Sequence, residues 1–147
     1  MKDTIYIACG FLLLLVSHAG PAASANGTPS LEIDIIDVRN GNGNLNVAVF
    51  ASPEGFPDKP GKAINRLRQP IAGAGTVQVE VALPAGKYAV AVFHDEDGDG
   101  KLRKNFLGVP TEGTGFSNNP ATRFGPPKFK DCLVPVGGGK VTIKLNY

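Results

Sequence analysis

Thr76-Val77-Gln78-Val79-Glu80-Val81-Ala82 leads through Leu83-Pro84-Ala85-Gly86 into Lys87-Tyr88-Ala89-Val90-Ala91-Val92-Phe93-His94. In the first run Val77, Val79 and Val81 fall on one face and Gln78 and Glu80 on the other. A period of two marks a strand with one face in a core and the other in water. Pro84 and Gly86 turn the chain. The second run has no polar residue between Tyr88 and Phe93, so both of its faces are expected to be buried. Such a strand belongs at the centre of a sheet packed on another layer.

Working outward, the same alternation recurs on both sides. Leu31, Ile33 and Ile35 alternate with Glu32 and Asp34, and Leu45, Val47 and Val49 with Asn46 and Ala48. Between them lies Asn40-Gly41-Asn42-Gly43-Asn44, whose residues tolerate the positive φ of tight turns, so a β-hairpin is predicted here. Near the end, Cys132–Val136 and Val141–Leu145 read as a last hairpin across Gly137-Gly138-Gly139. Residues 52–75 carry Pro53, Pro57, Pro60 and Pro70 with Gly55, Gly61, Gly73 and Gly75. They read as a long irregular connection, functional or mobile, with a single helical turn over Lys62–Arg68. Helical periodicity is absent elsewhere in the domain. The expectation is an all-β fold, a single β-sandwich of about seven strands over residues 26–147.

The first 25 residues read differently. Lys2 precedes an apolar run from Ile5 to Val16, followed by Gly20-Pro21 and the small-x-small sequence Ala23-Ser24-Ala25. This is the order of a cleaved secretory signal peptide, and the run falls short of the roughly 20 residues a membrane span needs. Cys9 lies before the strongest apolar block, so it belongs to the signal rather than to a lipid-attachment site. The expected product is periplasmic or secreted, with no stable membrane anchor after processing. Removing 25 of 147 residues leaves 122, enough for one core. Loss of Lys2 and Asp3 leaves 14 basic and 12 acidic residues, still +2. That balance is too mild to point to nucleic acid or an anionic surface. Cys132 alone remains, so no intrachain disulfide forms and a buried, inert thiol is expected.

Chemistry concentrates after the doubly buried strand, in His94-Asp95-Glu96-Asp97-Gly98-Asp99-Gly100-Lys101. Asp95, Asp97 and Asp99 occupy positions one, three and five of a calcium-loop pattern, with Gly100 at six for the sharp turn. Lys101 offers only its backbone carbonyl. Arg103 stands at position nine and Phe106 at twelve, where a bidentate Glu belongs. Two readings stay open: a weak calcium site, or a polar turn whose carboxylates are balanced by Lys101, Arg103 and Lys104. His94 is the sole histidine of the mature chain, which excludes zinc sites of the two- or three-histidine type. No serine lies in a nucleophile elbow and no phosphate loop is present.

Gly108-Val109-Pro110-Thr111-Glu112-Gly113-Thr114-Gly115-Phe116-Ser117-Asn118-Asn119 suits a compact loop pinned by Phe116. Its functional alternative has Glu112, Asn118 or Asn119 lining a ligand site beside the acidic turn. Arg123-Phe124-Gly125-Pro126-Pro127-Lys128-Phe129-Lys130 mixes basic and aromatic residues, and reads as a solvated loop over buried phenylalanines.

The run Leu83–Lys101, with Gly108-Val109-Pro110-Thr111-Glu112-Gly113 and Gly115-Phe116-Ser117-Asn118-Asn119, resembles the bacterial exported family known as domain of unknown function 2141. The resemblance covers Leu31 to Tyr147. It implies a secreted or periplasmic sandwich of Ig-like or transthyretin-like kind, with no assigned activity. It also implies an acidic residue shortly after the Asp-rich turn, where this chain has Arg103. The Tyr-Arg-Gly-Ser ending of transthyretin-like hydrolases is replaced by Lys144-Leu145-Asn146-Tyr147.

Three functions are therefore weighed. The first is a non-catalytic envelope protein, a binding or accessory module for an envelope or extracellular ligand. The second is a calcium-stabilised adhesion or carbohydrate-binding domain. The third is a hydrolase using His94 with Asp95 or Glu112.

Overall fold

The computed structural model describes residues 28–147, so the signal-peptide reading lies outside the described residues. Among the described residues eight strands form two sheets, the expected all-β sandwich. The first sheet holds β1 (Ser30–Val38), flanked by β4 (Gly75–Ala82) and β8 (Val141–Lys144). The second runs β3 (Asn65–Pro70), β2 (Asn44–Phe50), β5 (Lys87–Asp95), β6 (Thr114–Phe116), with β7 (Leu133–Pro135) on β5 as well. The only helical turns among the described residues are 3-10, at Pro60–Lys62 and Phe129–Cys132. No helix among them is long and apolar enough to cross a membrane.

The alternation fixes the core. Leu31, Ile33 and Ile35 of β1 and Val79 and Val81 of β4 face Leu45, Val47, Val49, Val90 and Val92 of the other sheet, all buried. Burying a side chain of this size contributes roughly 1.5–3 kcal/mol, which is what holds two sheets with no disulfide between them. At Asp37 the chain adopts a φ of 61° and the register with β4 shifts. That bulge turns Val38 into the core, where strict alternation would have sent Asp37.

Both predicted hairpins are corrected. β1 and β2 are consecutive but lie in different sheets, and so do β7 and β8. β8 instead pairs parallel to β1, Ile33 opposite Val141 and Ile35 opposite Ile143. Alternation shows that a strand has one buried face without showing whether its neighbour in sequence lies beside it or across the core. The connector Arg39–Gly43 crosses between the layers so tightly that a Cβ on Gly41 would sit 2.6 Å from the Gly73 nitrogen.

Residues 52–75 also differ from expectation, because β3 lies within them and no helical turn spans Lys62–Arg68. Asn65-Arg66-Leu67-Arg68-Gln69-Pro70 is an edge strand, and arginine and proline are the devices that blunt such edges. The preceding loop closes the outer face of the second sheet. Phe56 stacks edge-on against Phe50 at 5.3 Å, Phe129 at 5.8 Å and Phe116 at 6.2 Å. β5 is thus covered by the other sheet on one face and by this aromatic cluster on the other, as its composition requires.

Candidate metal centre

β5 positions the site by its period of two. His94 is opposite Leu45 on the inner face, whereas Asp95 is opposite Asn44 on the outer one. Both side chains are fully buried. Asp95 closes the strand, and the chain then curls through Gly98 and Gly100, at φ 75° and 78°. Those left-handed turns favour glycine and let the loop fold back over Asp95.

Inside the loop each carboxylate also shapes backbone. Asp97 Oδ1 accepts from the Asp99 N–H at 3.2 Å and Asp99 Oδ1 from the Lys101 N–H at 2.7 Å. Asp95 Oδ2 accepts from the Gly100 N–H at 3.0 Å, from Asn46 Nδ2 at 3.2 Å and, weakly, from Arg68 Nη2 at 3.4 Å. Asp95 Oδ1 is buried and has no hydrogen-bond partner among the described residues. An oxygen of Asp95, one of Asp97 and one of Asp99 lie within 4.8 Å of one another. Oxygens sharing one calcium at about 2.3–2.6 Å stand no more than about 5 Å apart, so these three fit a single hard cation. Arg103 lies on Asp97 as an internal counter-charge, which a cation would have to displace.

Glu112 holds the loop together. Its buried carboxylate accepts from the Glu96 N–H at 3.0 Å and from the Arg103 N–H at 2.9 Å, tying both flanks of the turn. Asn118 and Asn119 are used elsewhere. Asn118 donates to the carbonyls of Leu133 at 2.9 Å and Asp131 at 3.3 Å. Asn119 donates to the Thr142 carbonyl at 2.8 Å and accepts from the Lys144 N–H at 2.7 Å. Beside Asn119 lies a shallow open cleft lined also by Phe116, Arg123 and Lys144.

Glu96 points away from the cluster. Arg39 grips it with Nε at 2.5 Å and Nη2 at 2.7 Å, and the pairing holds its carboxyl below the usual range. The Arg39 guanidinium lies 4.3 Å from the centre of the Tyr147 ring. Tyr147 Oη is 2.8 Å from His94 Nδ1, and His94 Nε2 is 2.8 Å from the Asn42 carbonyl. The carbonyl can only accept, so Nε2 carries a proton, and in the neutral ring Nδ1 accepts from Tyr147. Both ring nitrogens are engaged. Cys132 is buried, and desolvation pushes its thiol up to about 11.

Asn46, Arg68 and the clamping role of Glu112 escaped sequence reasoning. Arg68 sits in the strand whose composition concealed it. A carboxylate closing a doubly buried strand did signal that donors must converge there, without naming them.

Two packed sheets with an acidic, arginine-balanced loop at one end define a β-sandwich domain carrying three carboxylates close enough to share a cation. Residues 33–144 match the family described as "Uncharacterized protein conserved in bacteria (DUF2141)", and the chain belongs to that family. No curated protein and no solved structure matches it.

Proposed function

We propose that this is an exported, non-catalytic binding or accessory module whose Asp95–Asp97–Asp99 turn takes calcium. The observation that carries the calcium reading is the unpartnered Oδ1 of the fully buried Asp95, beside two further carboxylates. An unpartnered buried polar oxygen costs roughly 1–3 kcal/mol, and a cation coordinated by it offsets that cost. The Lys101 carbonyl and water complete the oxygen shell that calcium prefers.

The export reading rests on the order of features from Lys2 to Ala25. Two placements favour a non-catalytic role. His94 and Asp95 project to opposite faces of β5, and Glu112 is committed to two backbone N–H groups.

With no carboxylate at position twelve, the affinity falls in the range of extracellular modules, roughly 10⁻⁴ to 10⁻³ M. At about 10 mM calcium this gives a stabilisation of ~1.4–2.7 kcal/mol. The melting temperature should rise by several degrees at fixed ionic strength, with magnesium much less effective. Asp97→Asn combined with Asp99→Asn keeps the turn and should remove the rise. A melting curve indifferent to calcium would sink the reading.

A further inference from the structure

Downstream of the acidic turn the chain builds a second, tighter turn. Lys104 bridges to Pro110, and the Thr111 N–H donates to the Arg103 carbonyl at 3.0 Å. Asn105 Oδ1 accepts from the N–H groups of Leu107 at 2.9 Å and Val109 at 3.0 Å, and Gly108 adopts a φ of 78°. This preformed hairpin tip displays Phe106 at 95% exposure, Leu107 at 72% and Val109 at 53%. A tight turn of this kind has no need of large apolar side chains, which polar residues or glycine would replace without loss of geometry. Lys101, Arg103 and Lys104, all exposed, lead into the tip along the chain.

We propose that the Phe106–Leu107 tip docks on an anionic phospholipid surface, and that calcium in the neighbouring turn switches the docking on. The second clause rests on the calcium reading above. A single convex loop is too small for a specific protein interface, which covers about 800 Å² on each partner. A bilayer needs only a few inserted apolar side chains with basic groups at headgroup level. The whole-chain charge of +2 does not decide this; the local balance does. Residues 95–112 contain five carboxylates, Asp95, Glu96, Asp97, Asp99 and Glu112, against Lys101, Arg103 and Lys104. Arg39 and Arg68 reach in from outside and bring the balance to zero. A bound calcium leaves this end of the sandwich two charges positive and frees Arg103 from Asp97 to meet lipid phosphate. Such docking is peripheral and reversible, distinct from a stable anchor.

The test is flotation of the chain from Asn26, which holds every strand, with vesicles of phosphatidylcholine alone or mixed with phosphatidylglycerol. About 1 mM calcium or a chelator is added. Calcium should raise the fraction bound to the anionic vesicles at least tenfold and leave neutral vesicles bare. Phe106→Ser with Leu107→Ser should abolish flotation while keeping the calcium-induced rise in melting temperature. Asp97→Asn with Asp99→Asn should lose both. Failure of the parent chain to float, while its melting temperature still rises with calcium, overturns the docking and leaves the calcium reading standing. Equal flotation of the serine variant also overturns it. Flotation that responds to calcium equally in the double Asn variant means that calcium acts on the lipid, and overturns the switch. An absent melting shift sinks the calcium reading itself.

Discussion

The guanidinium of Arg103 lies on the carboxylate of Asp97, at the ninth and third positions of the acidic turn. This pair gives the loop an internal counter-charge, an arginine balancing one of its three clustered carboxylates. Replacing Arg103 by Ser removes the competitor and leaves the Arg103 backbone N–H on Glu112. An exposed ion pair is worth up to about 1 kcal/mol, so calcium affinity should tighten ~3- to 5-fold in Arg103→Ser. Calorimetric titration of the two proteins checks this; unchanged affinity would place the cation away from Asp97.

Glu112 should prove more sensitive than the aspartates. In Glu112→Gln one amide oxygen must replace two carboxylate oxygens, and the NH2 group faces a backbone donor in a buried site. Such a mismatch costs ~1–3 kcal/mol. Chemical denaturation should show that loss even in chelator, whereas Asp97→Asn should be near neutral there. If Glu112→Gln is as stable as the parent, the carboxylate is not the clamp.

Much of the sandwich was legible in the sequence because burial on one face writes itself as alternation. Leu31-Glu32-Ile33-Asp34-Ile35 and Val77-Gln78-Val79-Glu80-Val81 announce strands and name the inward residues. Pairing was not legible. The Asn-Gly segment before Asn44 serves an inter-sheet crossing as well as it would a hairpin, since both demand glycine-like backbone. β3 was hidden because an edge strand with outward arginines and one leucine lacks the apolar repeat. The acidic triad was visible as a motif, but its strongest credential was not. Only the three-dimensional packing shows that Asp95 is buried with one oxygen unmet.

The Arg39–Glu96 pair gives the acid limb of stability a defined sign. The Arg39 hydrogen bonds lower the Glu96 pKa from 4.5 in the folded state. The contribution is therefore present above about pH 4.5 and is lost as pH falls through the depressed folded value. Thermal melts of the parent and Glu96→Gln should separate above about pH 4.5 and converge as pH falls from there through the depressed folded value. Curves that run parallel across that window would show the pair to be energetically idle.

Cys132 should be unreactive in the native protein. It is buried, and with its thiol at about 11 almost no thiolate exists near pH 8. A thiol reagent should label it only after denaturant is added. Fast native labelling would mean that the Phe129–Cys132 turn opens readily.

The parallel pairing of β1 with β8 ties the two ends of the domain together, Ile33 to Val141, with Tyr147 against Arg39 and His94 close by. None of the four connectors that cross between the sheets lets its two strands pair locally. Completing the first sheet therefore waits for contacts between residues more than a hundred positions apart, the kind of topology that folds slowly. Until β8 has emerged from the ribosome, β1 has no partner on one side. On the proposed export reading, that delay suits passage through a translocation pore. It keeps the first sheet open until β8 is available, and lets the sandwich close only after passage.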